Sequence, residues 1–350
     1  MTTLHIDFET RSTVDLKKTG VHVYAGHPTT DIWCMAYALA AGLVALWTPG
    51  TPPPEIVTQH IRGKFGPVIA HNAAFEWCIW NAILVPRYGF PPLAIEQCHC
   101  TMAMARAMSL PPSLAEAALA VGLPEQKDMD GRRLMLQMAK PRRIEKDKIV
   151  WWDTPDRLER LYAYCRQDVE AERALEKRLV PLSAKERQIW LLDQKINNRG
   201  VMVDLKTIDA AEKLIETSML RLNARMAEAT GGAVTKCSQV YDLTRWVAEQ
   251  GIEIDSLAKA DVTALLCRTD LPPAVREALL LRQEGAKTST AKLKKMREGA
   301  SADHRLRGLL GYHVASTGRW GGYRTQPHNL PRPSRPYDEI LDAIEMMDAA

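Results

Sequence analysis

With 350 residues the chain has room for two or three domains. Its 46% hydrophobic and 25% charged residues match ordinary globular usage and exclude wholesale disorder. The net charge of +4 is too mild to announce a nucleic-acid binder, but residues 286–335 hold eleven basic and two acidic side chains, a local +9 that leaves −5 for the rest.

Leu4-His5-Ile6-Asp7-Phe8-Glu9 reads as a first strand. Residues 32–40 and 43–47 read as two buried strands around an Ala41-Gly42 turn. The sixteen residues 32–47 fall short of the ~20 needed to cross a bilayer, so no membrane partner is expected. A fourth strand is predicted at 67–70, and helical spacing follows at 73–84, 102–108, 113–121, 132–138 and 155–179. Antiparallel strands followed by helices predict a three-layer α/β domain ending near residue 180. Beyond Pro181 no strand is evident for over a hundred residues. Helices are predicted at 184–198, stopped by Gly200; at 205–229, stopped by Gly231-Gly232; at 240–250, stopped by Gly251; and at 273–297, with Gly285 as a break. The last forty residues turn rich in Gly, Pro and Arg, and Asp338, Glu339, Asp342, Glu345 and Asp348 read as the solvated face of an amphipathic helix.

Seven cysteines without framework spacing suit a reducing, cytoplasmic compartment, and no signal-peptide pattern opens the chain. Cys98 and Cys100 flank His99, but no second ligand pair with zinc-like spacing follows, so no zinc site is expected.

Three acidic elements stand out. Asp7 and Glu9, two apart in a strand, leave the same face, while Ile6 and Phe8 take the other. Neighbouring carboxylates repel and a divalent cation relieves the repulsion, although strands ending in solvated acids are also common. In His71-Asn72-Ala73-Ala74-Phe75-Glu76, Asn72 suits a helix N-cap and Glu76 falls on the first turn, which a capped helix alone would explain. In Tyr164-Cys165-Arg166-Gln167-Asp168, a phenol and a carboxylate stand one turn apart on one helix face.

Taken in order, at separations of roughly seventy and ninety residues, these elements resemble the three motifs of the DEDD exonuclease superfamily, in the subtype with a tyrosine in motif three. The resemblance covers about residues 1–180. It implies a ribonuclease H-like fold and metal-dependent removal of nucleotides from 3′ ends. It further implies that Asp7, Glu9 and Asp168 are the inner ligands of one cation, and that Asp7 bridges to a second held by Glu76, directly or through water. Tyr164 would position the attacking water or help deprotonate it. The implied cofactors are two divalent cations, Mg2+ with Mn2+ as a substitute. Thr10, Asn72 and Phe75 match positions that contact the terminal nucleotide. Motif two usually carries Asp, so Glu76 departs from the pattern by one methylene without changing the charge.

In the second half, Glu186-Arg187-Gln188-Ile189-Trp190, Asp193 and Ile196-Asn197-Asn198-Arg199-Gly200-Val201-Met202-Val203-Asp204 resemble the opening segment of family A DNA polymerases, the polymerase I class. By pattern alone this stretch is an amphipathic helix with a glycine C-cap. Thr288-Ser289-Thr290-Ala291-Lys292-Leu293 resembles the end of that family's thumb. Thr317-Gly318-Arg319-Trp320-Gly321-Gly322 with Gln326-Pro327-His328-Asn329-Leu330-Pro331-Arg332 resembles the primer-template strip at the start of its palm, where a glutamine is usual in place of His328. The likeness is to phage- and prophage-type members. It implies an exonuclease domain at 1–180, an all-α thumb-like region at 181–310 and a truncated start of the palm at 311–350. It also implies DNA as the partner: a single-stranded 3′ end at the exonuclease site and duplex on the strip. Lys292, Lys294 and Lys295 would sit on the backbone, Arg319 and Arg324 at a minor groove, and Gln326 and Asn329 on the primer-template. Basic side chains interleaved with glycine suit close approach to phosphates, whereas a Gly/Arg-rich tail ordered only in a larger assembly is the plain alternative. The polymerase acids and finger helix do not follow Asn329, so the chain alone is not expected to synthesise DNA, and a separate palm-and-fingers chain would complete it. Two rival readings are a DNA-binding polymerase subunit with an idle exonuclease site and an RNA-trimming 3′→5′ exoribonuclease.

Overall fold

The computed structural model of the chain describes residues 2–349 apart from 125–127, 147, 255, 287–289, 331 and 334. Lys287, Thr288 and Ser289 near the thumb-like motif and Pro331 of the strip therefore lie outside the described residues, as does the side chain of Asp348.

Five strands form one mixed sheet: β1 (Leu4–Arg11), β2 (Asp31–Leu39), β3 (Ala45–Trp47), β4 (Val68–Ala70) and β5 (Cys98–Cys100), in the order β3-β2-β1-β4-β5. β2 runs antiparallel to both β1 and β3, while β4 is parallel to β1 and β5 to β4. The period of two along β1 sends Leu4, Ile6 and Phe8 into an apolar cluster with Trp80, Ile83 and Leu84, and turns His5, Asp7 and Glu9 to the opposite face. Each aliphatic or aromatic side chain so buried contributes ~1.5–3 kcal/mol. β2 is apolar on both sides, with Met35 in that cluster and Cys34, Ala36 and Ala38 in a second one beneath the long helix that carries Cys165 and Val169.

The helices around this sheet are α1 (Leu16–Thr19), α2 (Val21–Gly26), α3 (Glu55–Gly63), α4 (Ala73–Ile79), α5 (Val85–Tyr88), α6 (Thr101–Ala107), α7 (Leu114–Ala120), α8 (Met129–Met138), α9 (Pro155–Glu176) and α10 (Ala184–Arg199). They cover both faces, as the α/β expectation requires. The helix expected at 73–84 is two pieces. Pro86 cannot donate a backbone hydrogen bond, and the turn before it widens into a π-helix at Trp80–Leu84, where the Val85 N–H donates to the Trp80 carbonyl five residues back. α3, β5 and the hairpin β6 (Arg143–Glu145) with β7 (Lys148–Val150) add to the predicted elements. The two strands of that hairpin and β5 have three residues each, too few for periodicity to register.

The chain divides into two compact units, Met1–Val203 with Glu298–Asn329, and Asp204–Arg297 with Leu330–Ala350. The cuts at 203 and 297 differ from the expected 180 and 310. α10 belongs with the sheet because Trp190 joins its core, beside Tyr312. The segment after 298 pairs back through β8 (Val201–Met202) with β9 (Arg305–Leu306), and through β10 (Leu310–Gly311) with β11 (Gly321–Gly322). The second unit is helical. It contains α11 (Leu205–Ala229), α12 (Val240–Glu249), α13 (Lys259–Leu266), α14 (Pro273–Gly285), most of α15 (Ala291–Gly299) and α16 (Tyr337–Ala349). Met226, Leu243, Val247, Val275 and Leu279 form a core of its own. Among the described residues no helix is long and apolar enough to cross a membrane.

Candidate active site

Three separate stretches of chain converge on Asp7. β1 presents His5, Asp7 and Glu9 on one face, and α9 lies across that face. The Cys165 thiol of α9 donates to Asp7 Oδ2 at 3.5 Å and approaches the Asp7 carbonyl at 3.6 Å. One carboxylate oxygen each of Asp7 and Glu9 and the Cys165 sulfur all lie within 4.8 Å of one another. Steps of four along α9 put Tyr164, Asp168 and Glu172 in one row. The Asp168 charge bears on both Asp7 and Glu9. The third stretch is the β4–α4 turn, which buries Glu76 in the first turn of α4 to 4% exposure, with Asp7 as its nearest repelling charge.

The acids oppose one another's ionisation. Burial first, then Asp168 and Glu172, push Asp7 well above the usual carboxylate range, and the Cys165 hydrogen bond offsets part of this. Glu9 is raised by burial and then by Asp7, and Glu76 by burial and then by Asp7. Burial pushes Asp168 up to about 7, with the Tyr164 hydroxyl bonded to it pulling down. Burial and the charges of Asp168, Glu9 and Asp7 raise the Tyr164 phenol far enough that it stays a hydroxyl at neutral pH. Glu76 Oε2 is buried with no hydrogen-bond partner, a costly condition for a carboxylate oxygen unless something binds it. Burial also keeps Cys165 a thiol, which leaves an all-oxygen anionic donor set. That set fits hard divalent cations. Asp7, Glu9, Glu76 and Asp168 are thus gathered, with Tyr164 beside them. His5, Cys165 and Glu172 are further members that the motif reading does not name.

A cleft of about 320 Å³ opens beside Tyr164 and Asp168, walled by Leu114 and Leu119 of the α7 region and Arg132 of α8. The expected nucleotide contacts are distributed differently. Thr10 is buried and its hydroxyl is bonded to the Tyr24 hydroxyl at 2.9 Å. Phe75 packs half-buried against the sheet core. Asn72 occupies the N-cap position of α4, but its side chain makes no capping bond, which corrects that expectation; its φ of 77° is left-handed, a conformation asparagine tolerates. It lines a different cavity, of about 340 Å³, together with His22 and Asp193.

On the basic strip, Arg319, Gln326 and Asn329 are exposed, and Gln326 Oε1 accepts from Asn329 Nδ2 at 3.1 Å. Arg324 corrects the expectation of a groove-facing side chain. Its guanidinium turns inward and donates to the carbonyls of Thr19 and Arg307. In the helical unit Lys294 and Lys295 are exposed on α15, while Lys292 is half-buried.

No family model matches the chain. Over 348 residues it is 35% identical to a protein of Bacillus phage SP02, an alignment covering 95% of this chain and 52% of the relative. That relative is a DNA polymerase. The fold is similar to that of the polymerase domain of Pol1 from M. smegmatis in complex with DNA primer-template and dNTP. The TM-score is 0.59 at 12% identity, over 95% of this chain and 53% of that one. The chain spans about half the length of the polymerase relative and of the polymerase structure it matches.

Proposed function

We propose that this chain carries a metal-dependent 3′→5′ DNA exonuclease of the proofreading type, within the N-terminal part of a family A DNA polymerase. In this reading the sheet and its helices are a ribonuclease H-like exonuclease domain at about 1–180, followed by a thumb-like region to about 310 and the start of a palm. The observation that carries it is the convergence of Glu9, Glu76 and Asp168 on Asp7, from stretches far apart in sequence, with a protonated phenol and an open cleft alongside. The polymerase relative supports DNA as the substrate class.

Asp7, Glu9 and Asp168 would hold one cation, and Asp7 with Glu76 a second. When bound, two divalent cations would activate the attacking water and stabilise the charge on the scissile phosphate and the departing 3′ oxygen. Because the Tyr164 hydroxyl donates to Asp168, its oxygen lone pairs are left to accept from water. Its raised pKa makes it a positioning group, not a proton acceptor. Arg132 supplies a guanidinium at the cleft wall for a phosphate. Leu114 and Leu119 offer apolar contact to a base without reading its edge.

The test is digestion of labelled single-stranded and 3′-recessed DNA, with and without Mg2+, by the natural chain and Asp7→Ala. Mg2+-dependent release of mononucleotides, absent in the variant, is expected. Undiminished digestion by Asp7→Ala sinks the assignment. Faster digestion of matched RNA moves the chain to the RNA-trimming class, and duplex binding without cleavage makes it a binding module.

A further inference from the structure

One buried carboxylate has no part in the centre just described. Glu172 follows Asp168 by one turn of α9 and is 3% exposed. Its Oε2 is bonded to His5 Nδ1 at 2.7 Å, and its Oε1 is buried without any hydrogen-bond partner. His5 precedes Asp7 by two residues on the same face of β1, so the pair continues the Asp7–Asp168 row by one step on each element. The Glu172 charge acts on both Asp7 and Glu76. Among the described residues, the buried oxygens lacking a partner include one on Glu76 and one on Glu172, and both acids have Asp7 as a shared neighbour.

A buried ion pair that only ties a helix to a strand engages His5 with one oxygen and leaves the second to be satisfied elsewhere. Here the second oxygen is left bare, beside another bare oxygen and a third carboxylate. Leaving three such groups together without a counter-charge costs several kcal/mol per ion. Grouped around one divalent cation, the same three oxygens become a hard-ligand set.

We propose that Glu172, held in place by His5, is a fifth carboxylate of the acidic centre and forms, with Asp7 and Glu76, the seat of the second cation. This rests on the reading of the centre as a two-cation site. It divides the ligands into two groups that share Asp7: Glu9 and Asp168 on one side, Glu76 and Glu172 on the other. His5 is then a positioning residue, since it touches Glu172 and not the reacting atoms.

The experiment is Mn2+ titration of the metal-stripped chain, with free Mn2+ read by electron paramagnetic resonance and melting followed in parallel. Glu172→Gln keeps the size of the side chain and its hydrogen bond to His5. It is expected to weaken the looser Mn2+ by at least tenfold, to leave the tighter one within about twofold, and not to lower the metal-free melting temperature. Should Glu172→Gln fold poorly, Glu172→Asp, which keeps the charge and retracts it, is expected to act in the same direction. Unchanged binding of both ions in the glutamine variant overturns the proposal, as does equal loss of both together with a lower melting temperature, because Glu172 would then be a structural tie. Failure of the underlying reading has a different signature: Asp7→Ala would bind Mn2+ as the natural chain does.

Discussion

Asp168→Asn should make the metal-free chain more stable while abolishing its nuclease activity. The Asp168 carboxyl lies at about 7 in the folded protein against an ordinary 3.8, mainly because it is buried. A raised carboxyl means that the folded state holds its proton to higher pH than the unfolded state does. Stability is therefore lost as pH rises from about 4 through about 7 and stays lost above. The displacement corresponds to about 4 kcal/mol at pH 8, and screening by nearby water and relaxation leave ~1–3 kcal/mol. Asparagine removes the charge and can still accept from Tyr164. At ~2–4 °C per kcal/mol for a unit of this size, the variant should melt roughly 3–8 °C higher than the natural chain at pH 8 in a chelator. The gap should narrow by pH 5 and close near pH 4. Added Mg2+ should raise the melting temperature of the natural chain more than that of the variant, because ligand binding to the folded state is what offsets the repulsion. Scanning calorimetry at these pH values, with chelator and with Mg2+, measures all of this. An asparagine variant melting at or below the natural chain at pH 8 in chelator would refute the idea that the acids strain the metal-free fold.

Tyr164→Phe should slow nucleotide release by ~10²-fold while leaving Mn2+ affinity nearly unchanged, since the phenol positions water and binds no cation; loss of Mn2+ binding in this variant would reassign the tyrosine. Glu76→Asp should retain substantial activity but need more Mg2+, because the charge is kept and its reach shortened. Activity lost at every Mg2+ concentration would show that the longer side chain is required. Lys294→Ala with Lys295→Ala should weaken duplex binding across all sequences and reduce the salt slope by roughly two, about one per lost phosphate contact. An unchanged slope in a filter-binding series would place the phosphates elsewhere.

Much of the fold is legible because its elements are long or strictly periodic. The alternation Leu4-His5-Ile6-Asp7-Phe8-Glu9 fixes both faces of β1 before any partner strand is known, and glycines mark the ends of α10 and α11 within a residue or two. The unit boundary is a different matter. It is decided by Trp190 entering the sheet's core and by Val201–Met202 pairing with Arg305–Leu306, about a hundred residues later. No local pattern encodes a partner that distant. Arg324 makes the same point for a single side chain. In sequence it is one of several arginines in a basic strip, and only the folded backbone, with φ at 52° and two carbonyls within reach, turns it inward.

The acidic centre itself follows from spacing: two apart in a strand, four apart in a helix, one at a strand-to-helix turn. The same two periods reach one residue further, to His5 on the strand and Glu172 on the helix, and a reading confined to motif positions stops short of both. What spacing cannot supply is the cost of the arrangement. Four carboxylates around Asp7, each raising another's pKa or being raised by it, oppose the folded state whenever they are ionised and uncompensated. The sheet tolerates this because Asp7 stands on its middle strand, paired to β2 along its whole length and to β4 at its start, over a face packed with Leu4, Ile6 and Phe8. A strand anchored on both edges cannot swing its acids apart to relieve their repulsion. The strain is therefore available to whatever cations bind, and their affinity should rise by the amount the acids have been denied. Asp7→Asn should thus do two things at once, raising metal-free stability and removing the shared ligand of both ions. A variant that separated those two effects would mean that repulsion and ligation do not arise from the same carboxylate.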